Sequence, residues 1–189
     1  MTGARDYQPL MWKIVKGRSP PRVNVAVEVG TRAGNWAAQA AQALGDRLDR
    51  LFCVDPWAET KKTSYLWPNI VPNWFKTVEP WLWTKIIPLR GTSIEWAQVF
   101  PYRINLLFID GDHSDVAFEA DLNAWLPKMA GGGLVICHEY HLRPLQKVMQ
   151  RRLNDCGSFI VDFEEGEVGP VFGREGKFVR ACWFNVVRK

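Results

Sequence analysis

Two short apolar runs that end in acidic and glycine residues constrain the fold of this chain more than any other feature. Val23–Val29 leads into a glycine turn, and Ile104–Ile109 leads into the sequence Asp-Gly-Asp-His at 110–113. Short, almost continuous apolar runs are typical of strands buried on both faces of a parallel sheet. Open α/β sheets bind their ligands at the edge where such strands end. We therefore expect both groups of polar residues to lie at one edge of one sheet.

Helices are predicted between the strands, so the alternation favours βαβ units and a parallel sheet. Three glycines at 131–133 are expected to break the chain before the fifth strand, and the glycine-rich stretch 166–177 is expected to form a hairpin or loop. The further predicted strands are 51–54, 85–89, 134–137, 159–163 and 178–187, and the predicted helices are 6–16, 34–44 and 115–128.

Composition limits the class of protein. With 189 residues, of which 47% are hydrophobic and 23% charged, residues 1–189 are expected to form a single globular domain. A net charge of +4 is too small to indicate a nucleic-acid partner. The four cysteines include no CxxC pair, so a reduced, cytoplasmic protein is the default expectation. Residues 1–22 lack the continuous apolar core of a signal peptide, and no apolar run approaches the length of a membrane span, so neither feature is expected.

An unusually aromatic segment interrupts the alternation at 56–83, which contains five tryptophans and four prolines. It is too aromatic for a plain connection between two strands. One interpretation is a hydrophobic cover or a subunit contact, which would allow a homodimer. The other is a lid or platform for an acceptor substrate, because aromatic faces suit sugar rings and flat ligands.

The glycine turn after the first strand indicates the kind of cofactor. Gly30 and Gly34 open a helix whose N-terminus favours a carboxylate or phosphate. The dinucleotide fingerprint GxGxxG is absent, and Glu28 would repel a pyrophosphate but attract an amine or sulfonium. Asp55 ends the second strand, where an acid can accept the hydroxyls of a ribose. A ribose with a cationic amino-acid portion describes S-adenosylmethionine.

The same residues resemble a known family. Residues 27–37 look like the first motif of class I S-adenosylmethionine-dependent methyltransferases, residues 52–57 like their second-strand motif, and residues 90–93 like the segment along the adenine. Residues 107–140, with an IDGDHS-type strand end, are similar to a branch related to small metal-dependent sugar and macrolide O-methyltransferases. The resemblance implies a Rossmann-like, doubly wound α/β fold, with a mostly parallel seven-stranded sheet and an antiparallel C-terminal strand.

The resemblance also implies roles for individual residues. The methionine portion of the cofactor would contact the acid and the glycine turn, and the acid after the second strand would hold the ribose. The implied cofactor-binding residues are Glu28, Gly30, Thr31, Gly34, Asp55, Trp57, Thr92, Ser93 and Asp110.

A divalent metal is a second expectation. Asp110 at the end of the fourth strand and His138 and Glu139 at the end of the fifth could converge on one ion, since neighbouring strands lie about 5 Å apart. Carboxylates suit Mg²⁺, and a histidine shifts the preference toward Mn²⁺, Fe²⁺ or Zn²⁺. In the metal-dependent relatives these positions are typically carboxylates, and His138 departs from that pattern. The alternative is that His138 and Glu139 shape a metal-free acceptor pocket.

The chemistry requires a group that removes the acceptor's proton. Asp112 and His113 are the candidate general bases, and the resemblance favours Asp112. The leading function is O-methylation of a small hydroxylated acceptor, such as a sugar or glycosylated metabolite. A nicotinamide-dependent oxidoreductase, a nucleic-acid methyltransferase and a non-catalytic S-adenosylmethionine-binding module are the alternatives. The acids at 110–113 argue against nucleic acid, because they would meet phosphate unfavourably.

Overall fold

The computed structural model describes residues 9–58, 74, 76–156, 160–170 and 178–187. One seven-stranded sheet forms its centre, in the order β3-β2-β1-β4-β5-β7-β6. The strands are β1 (Val23–Val29), β2 (Leu48–Asp55), β3 (Ile86–Arg90), β4 (Ile104–Ile109), β5 (Met129–Cys137), β6 (Ile160–Pro170) and β7 (Phe178–Val186). The first five strands pair in parallel with one another, and β7 is antiparallel to both β5 and β6. This arrangement confirms the predicted fold class.

Helices cover both faces of the sheet, as the continuous apolar strands require. The helices are α1 (Pro9–Arg18), α2 (Asn35–Leu44), α3 (Ser93–Val99), α4 (Asp115–Trp125) and α5 (Arg143–Cys156). Buried residues of α1 and α2 belong to one core cluster, and those of α3, α4 and α5 belong to the other. Alternate residues of β1 enter the two clusters, so Val27 and Val29 face α3–α5 and Glu28 faces α1 and α2. No helix among these residues is both long and apolar enough to cross a bilayer.

Most strand and helix predictions lie within a few residues of the observed elements, and two were wrong. The glycines at 131–133 do not precede the fifth strand but lie within it, because β5 begins at Met129. β6 continues to Pro170, well past the predicted end at 163. Residues 171–177 of the expected loop lie outside the described residues, as do 59–73 and Phe75 of the aromatic segment.

The fold places the predicted functional residues at one edge. The carboxyl ends of β1, β2, β4 and β5 lie side by side, with Val29 paired to both Val54 and Ile109. Backbone hydrogen bonds extend this register past the strand ends, since Asp110 N donates to Val29 O and His138 N donates to Ile109 O, both over 2.9 Å. The acidic and histidine residues after β4 and β5 are therefore held on adjacent, ordered backbone.

Candidate active site

Gly30 joins the ends of β1 and β4. Its φ angle is +85°, and its N–H donates to Val54 O over 2.9 Å. A Cβ atom at this position would lie 2.3 Å from the carbonyl oxygen of Asp110 and 2.7 Å from Cα of Gly111. Only glycine permits this close contact between the two turns.

Glu28 lies beneath the glycine turn and not at its surface. Glu28 is 2% exposed, and its Oε2 accepts a hydrogen bond from Thr31 Oγ1 over 2.8 Å. Burial raises the pKa of Glu28 to about 8, even though the hydrogen bond from Thr31 opposes this shift. Glu28 therefore fixes Thr31 in the turn, and it is a buried acid that a nearby cation would help to ionise.

Asp55 organises the loop after β2. Its Oδ2 accepts from Arg32 N over 2.9 Å, and its Oδ1 accepts from Trp57 N over 2.7 Å. Burial raises the pKa of Asp55, and these two backbone hydrogen bonds partly offset the rise. A carboxylate has about four acceptor positions, so each oxygen can accept one further hydrogen bond. The two remaining acceptor positions fit a ribose that donates from two adjacent hydroxyls.

Gly34 caps α2 and lies against the end of the aromatic segment. Its φ is +77°, and no side chain caps the first turn of the helix. A Cβ here would lie 2.9 Å from Cδ1 of Trp74 and 3.0 Å from Cγ2 of Val78. Trp74 in turn packs edge-on against Trp57, with 5.7 Å between the ring centroids. The described part of the aromatic segment thus covers the N-terminus of α2, whose uncapped N–H groups suit a carboxylate.

Thr92 and Ser93 follow β3 and begin α3. Thr92 forms a capping box, in which Glu95 N donates to Thr92 Oγ1 and Thr92 N donates to Glu95 Oε2. Ser93 Oγ accepts from the indole N–H of Trp125 over 2.8 Å. Both side chains therefore have structural partners, which sequence reasoning did not anticipate.

Asp110 accepts from two histidines at a single oxygen. His138 Nδ1 lies 2.9 Å and His113 Nε2 lies 3.2 Å from Asp110 Oδ1. Burial alone would raise the pKa of Asp110, but the charge of His138 and the hydrogen bonds of both rings hold it well below its usual range. Burial would lower the pKa of His113, yet the hydrogen bond and charge of Asp110 raise it. Asp110 is therefore an anion with two imidazole partners.

Asp112, the other candidate base, is exposed and has a different partner. Its Oδ1 accepts from Ser114 N over 2.8 Å, immediately before α4 begins. This geometry is a turn that leads into the helix, and Ser114 then caps the first turn by accepting from Ala117 N. The structure thus gives Asp112 a role in starting α4, whereas His113 faces Asp110.

The predicted metal ligands do not form a metal site. Among the residues that the structure describes, no group of three or more His, Cys, Asp or Glu side chains is arranged to hold an ion. Asp110 Oδ1 instead accepts from the two rings, and Glu139, in the left-handed region at φ +56°, pairs with His141 over 3.4 Å. As arranged here, these side chains therefore do not form a site for a divalent cation.

One buried acid near the site, Asp121, was not identified from the sequence. Asp121 on α4 is 6% exposed, and a Cβ at Gly111 would lie 3.3 Å from its Oδ2. It stands in a helix whose apolar residues repeat with helical spacing, so the sequence indicates only an ordinary polar face. The remaining signal is that Asp121 falls next to Leu122 and one turn before Trp125, both of which are buried.

Comparison with known proteins decides the family. The model of the methyltransferase domain family matches residues 27–140, more than half of the chain. The chain belongs to this family. It is a class I S-adenosylmethionine-dependent methyltransferase, and the glycine turn, Asp55 and the end of β4 all lie within the matched residues. Among curated proteins, none matches this chain in sequence.

Solved structures share the fold of this methyltransferase. A putative rRNA-methylase from Clostridium thermocellum has a TM-score of 0.70 at 10% identity, over 95% of each chain. A precorrin-6y C5,15-methyltransferase from Geobacter metallireducens has a TM-score of 0.68 at 14% identity, over 97% of this chain and 90% of that one. An O-methyltransferase from Bacillus cereus, in complex with SAH, has a TM-score of 0.61 at 13% identity, over 96% and 83%. These similarities show the fold and leave the acceptor open.

Proposed function

We propose that this methyltransferase transfers a methyl group to a hydroxyl oxygen of a small acceptor, with His113 as the general base. The observation that carries the proposal is the 3.2 Å contact between His113 Nε2 and Asp110 Oδ1. An ionised carboxylate can only accept, so Nε2 carries the proton in the neutral ring. Nδ1 of His113 then holds the lone pair that can take a proton from the acceptor.

The acid–imidazole pair favours a hydroxyl over an amine as acceptor. A hydroxyl is a weak nucleophile until a base removes its proton, whereas a neutral amine attacks through its own lone pair. Asp110 orients the His113 ring and stabilises the imidazolium that forms, as the carboxylate does in other enzymes in which an acid orients a histidine base. Asp112 is the weaker candidate because its Oδ1 accepts from Ser114 N at the start of α4.

The cofactor-binding residues have complementary tasks. S-adenosylmethionine, when bound, supplies a methyl group on a positively charged sulfur. The uncapped first turn of α2 suits its carboxylate, and Asp55 suits its ribose hydroxyls. The anionic Asp110 is adjacent to Gly30 and would attract the sulfonium. Alignment of acceptor oxygen and methyl group by such contacts can supply several kcal/mol of the barrier reduction.

The acidic residues at this edge of the sheet favour a small acceptor, such as a sugar or a glycosylated metabolite, over nucleic acid. Asp112 is exposed beside His113, and Asp110 and Glu139 are further acids at the same edge. A phosphate backbone would meet these charges unfavourably. Beside this edge, the aromatic segment packs against the start of α2 through Trp74, which contacts Gly34 and packs edge-on against Trp57.

The decisive experiment is an acceptor screen. The purified protein is incubated with S-adenosylmethionine and three classes of acceptor, namely hydroxylated sugars and their glycosides, amines, and structured RNA. Mass spectrometry then identifies any methylated product. We expect products only from the hydroxylated class. Transfer confined to amines or RNA would overturn the proposal, as would calorimetry that shows binding of NAD but not of S-adenosylmethionine.

A further inference from the structure

A cavity of about 460 Å³ lies between α3 and the end of α4. Ile94, Ala97 and Phe100 line it on the side of α3. Ala124 and Pro127 line it on the side of α4. Small-molecule sites typically enclose about 300–1,000 Å³ and have mostly apolar walls with a few polar groups. This α3–α4 cavity therefore has the size and the lining of a site for a small ligand.

The α3–α4 cavity is separate from the edge of the sheet where methyl transfer takes place. Arg103 lines the cavity and immediately precedes β4, whereas Asp110 immediately follows β4. Each strand residue adds about 3.3 Å, so the length of β4 places these two residues about 20 Å apart. A molecule bound beside Arg103 would be a further ligand, distinct from S-adenosylmethionine and from the methyl acceptor.

Two cations lie at the end of the cavity near β4. Lys128 Nζ donates to Phe100 O over 3.1 Å, and Arg103 Nη1 donates to Pro127 O over 2.9 Å. An ammonium has three donors and a guanidinium has five, so both groups keep N–H donors for a ligand. Neither cation pairs with a carboxylate among the residues that the structure describes. None of the residues that line the cavity is acidic.

Tyr102 adds an aromatic wall at the same end. Its ring stacks on Phe52 with 5.7 Å between centroids and an angle of 22° between planes, yet the residue is 41% exposed. The guanidinium carbon of Arg50 lies 6.0 Å from the centroid of the Tyr102 ring and brings a third positive charge. Three cations without an acid among the lining residues give this end a positive potential, which attracts an anion.

We propose that the α3–α4 cavity binds a small amphipathic anion, namely a carboxylate with a flat apolar body. The carboxylate accepts from Arg103 and Lys128, because a guanidinium presents its donors as a fork that matches the two carboxylate oxygens. The apolar body lies along α3 toward Ile94. The seven residues of α3 span about 10 Å, which accommodates a bicyclic ring. This inference does not depend on the acceptor or the general base proposed above.

The test compares 2-naphthoate with its neutral isostere 2-naphthamide by calorimetry. The protein is first saturated with S-adenosylhomocysteine, so that neither probe can bind in place of the cofactor. We expect 2-naphthoate to bind at least about tenfold more tightly, because hydrogen bonds between charged groups are stronger than neutral ones. Added salt should weaken the binding of 2-naphthoate and leave that of 2-naphthamide almost unchanged.

Two variants test whether the preference arises in this cavity. Lys128→Gln removes the charge and keeps an N–H for Phe100 O, so most of the preference for 2-naphthoate should be lost. Lys13→Gln is the matched control, because Lys13 is exposed on α1, which covers the opposite face of the sheet. This control should bind both probes as the wild-type protein does.

Three outcomes would overturn the proposal. Equal or undetectable binding of the two probes by the wild-type protein would do so without any variant. A folded Lys128→Gln protein that keeps the wild-type preference would do so as well. Sedimentation provides the third, namely a wild-type dimer that Tyr102→Ser converts to a monomer, because the cavity would then be a contact between two copies. Methyl transfer is not part of these measurements, so their outcome is independent of the acceptor screen.

Discussion

His138 Nδ1 lies 2.9 Å from Asp110 Oδ1 and thereby joins the ends of two neighbouring strands. The same oxygen also faces His113 Nε2 at 3.2 Å. The backbone supports this arrangement, because His138 N donates to Ile109 O and the His138 ring packs 5.8 Å from Phe108. Asp110 is therefore oriented by one buried histidine while it orients a second, partly exposed one. The consequences for catalysis and metal dependence can be measured.

We expect His113→Asn to lower kcat/KM by about 10²- to 10⁴-fold, the usual contribution of a general base. In the wild-type protein kcat/KM should rise with pH through a pKa above the ordinary histidine value of 6.5, because Asp110 raises the pKa of His113 and only the neutral ring accepts a proton. The fall of kcat/KM at low pH, which is the acidic limb of the profile, should be absent from His113→Asn. Asp112→Asn is the control. A limb that survives in His113→Asn and disappears in Asp112→Asn would assign the base to Asp112.

We expect dialysis against EDTA to leave both the rate of methyl transfer and the melting temperature unchanged. The physical reason is the donor geometry, since Asp110 Oδ1 is shared by two imidazoles and Glu139 pairs with His141. His138→Asp provides the contrast, because it places a carboxylate where the metal-dependent relatives have one, and added Mg²⁺ should raise its melting temperature. Loss of wild-type activity in EDTA that Mg²⁺ restores would contradict this prediction.

The strands that end at the site could be predicted because their composition is almost entirely apolar, which indicates burial. Val23–Val29 and Ile104–Ile109 are continuous apolar runs, and both have the predicted bounds. β5 was harder, because three glycines are a common signal of a break, yet here they lie inside the strand that starts at Met129. Pairing with β4 passes from Ile104–Met129 directly to Leu106–Leu134, so the glycines form an irregularity within the strand, which local composition does not distinguish from a break.

The site was predictable as a set of strand ends and not as a set of contacts. Glu28, Asp55 and Asp110 all lie at the expected edge, because parallel strands bring their carboxyl ends together. Which side chain bonds to which depends on rotamers and burial that no spacing encodes. For that reason the shared oxygen of Asp110 and the contact between Ser93 and Trp125 emerged only from the structure.

Glu28→Gln tests the buried acid beneath the glycine turn. Its folded-state pKa, about 8, lies above its ordinary value of 4.5, so between these values the folded protein binds more protons than the unfolded chain. Stability therefore falls as pH rises from about 4.5 to 8, and the variant should show a shallower decline. Urea unfolding at several pH values measures this slope. A slope identical in both proteins would show that Glu28 does not titrate in this range.

The same residue should couple cofactor binding to proton release. A cationic ligand near Glu28 favours its ionised form, so binding of S-adenosylmethionine at pH 7 should release a proton. Calorimetry in buffers with different ionisation enthalpies measures the number of protons released. We expect a positive release in the wild-type protein and a smaller one in Glu28→Gln. Equal release in both would place the linked proton on another group.

Gly34→Ala and Gly45→Ala separate backbone strain from side-chain crowding at the two ends of α2. Both glycines have positive φ angles, +77° and +54°, so alanine is strained at each. The backbone cost is about 1 kcal/mol at Gly34, in the left-handed helical region, and larger at Gly45, whose ψ of −127° lies outside that region. Only at Gly34 would the new Cβ lie 2.9 Å from the Trp74 ring, whereas nothing lies within 4 Å at Gly45. Displacement of Trp74 should add about 1–3 kcal/mol and weaken binding of S-adenosylhomocysteine. Urea unfolding and calorimetry on both variants measure these effects. If Gly34→Ala keeps the wild-type affinity, as Gly45→Ala is expected to, Trp74 does not brace the glycine turn.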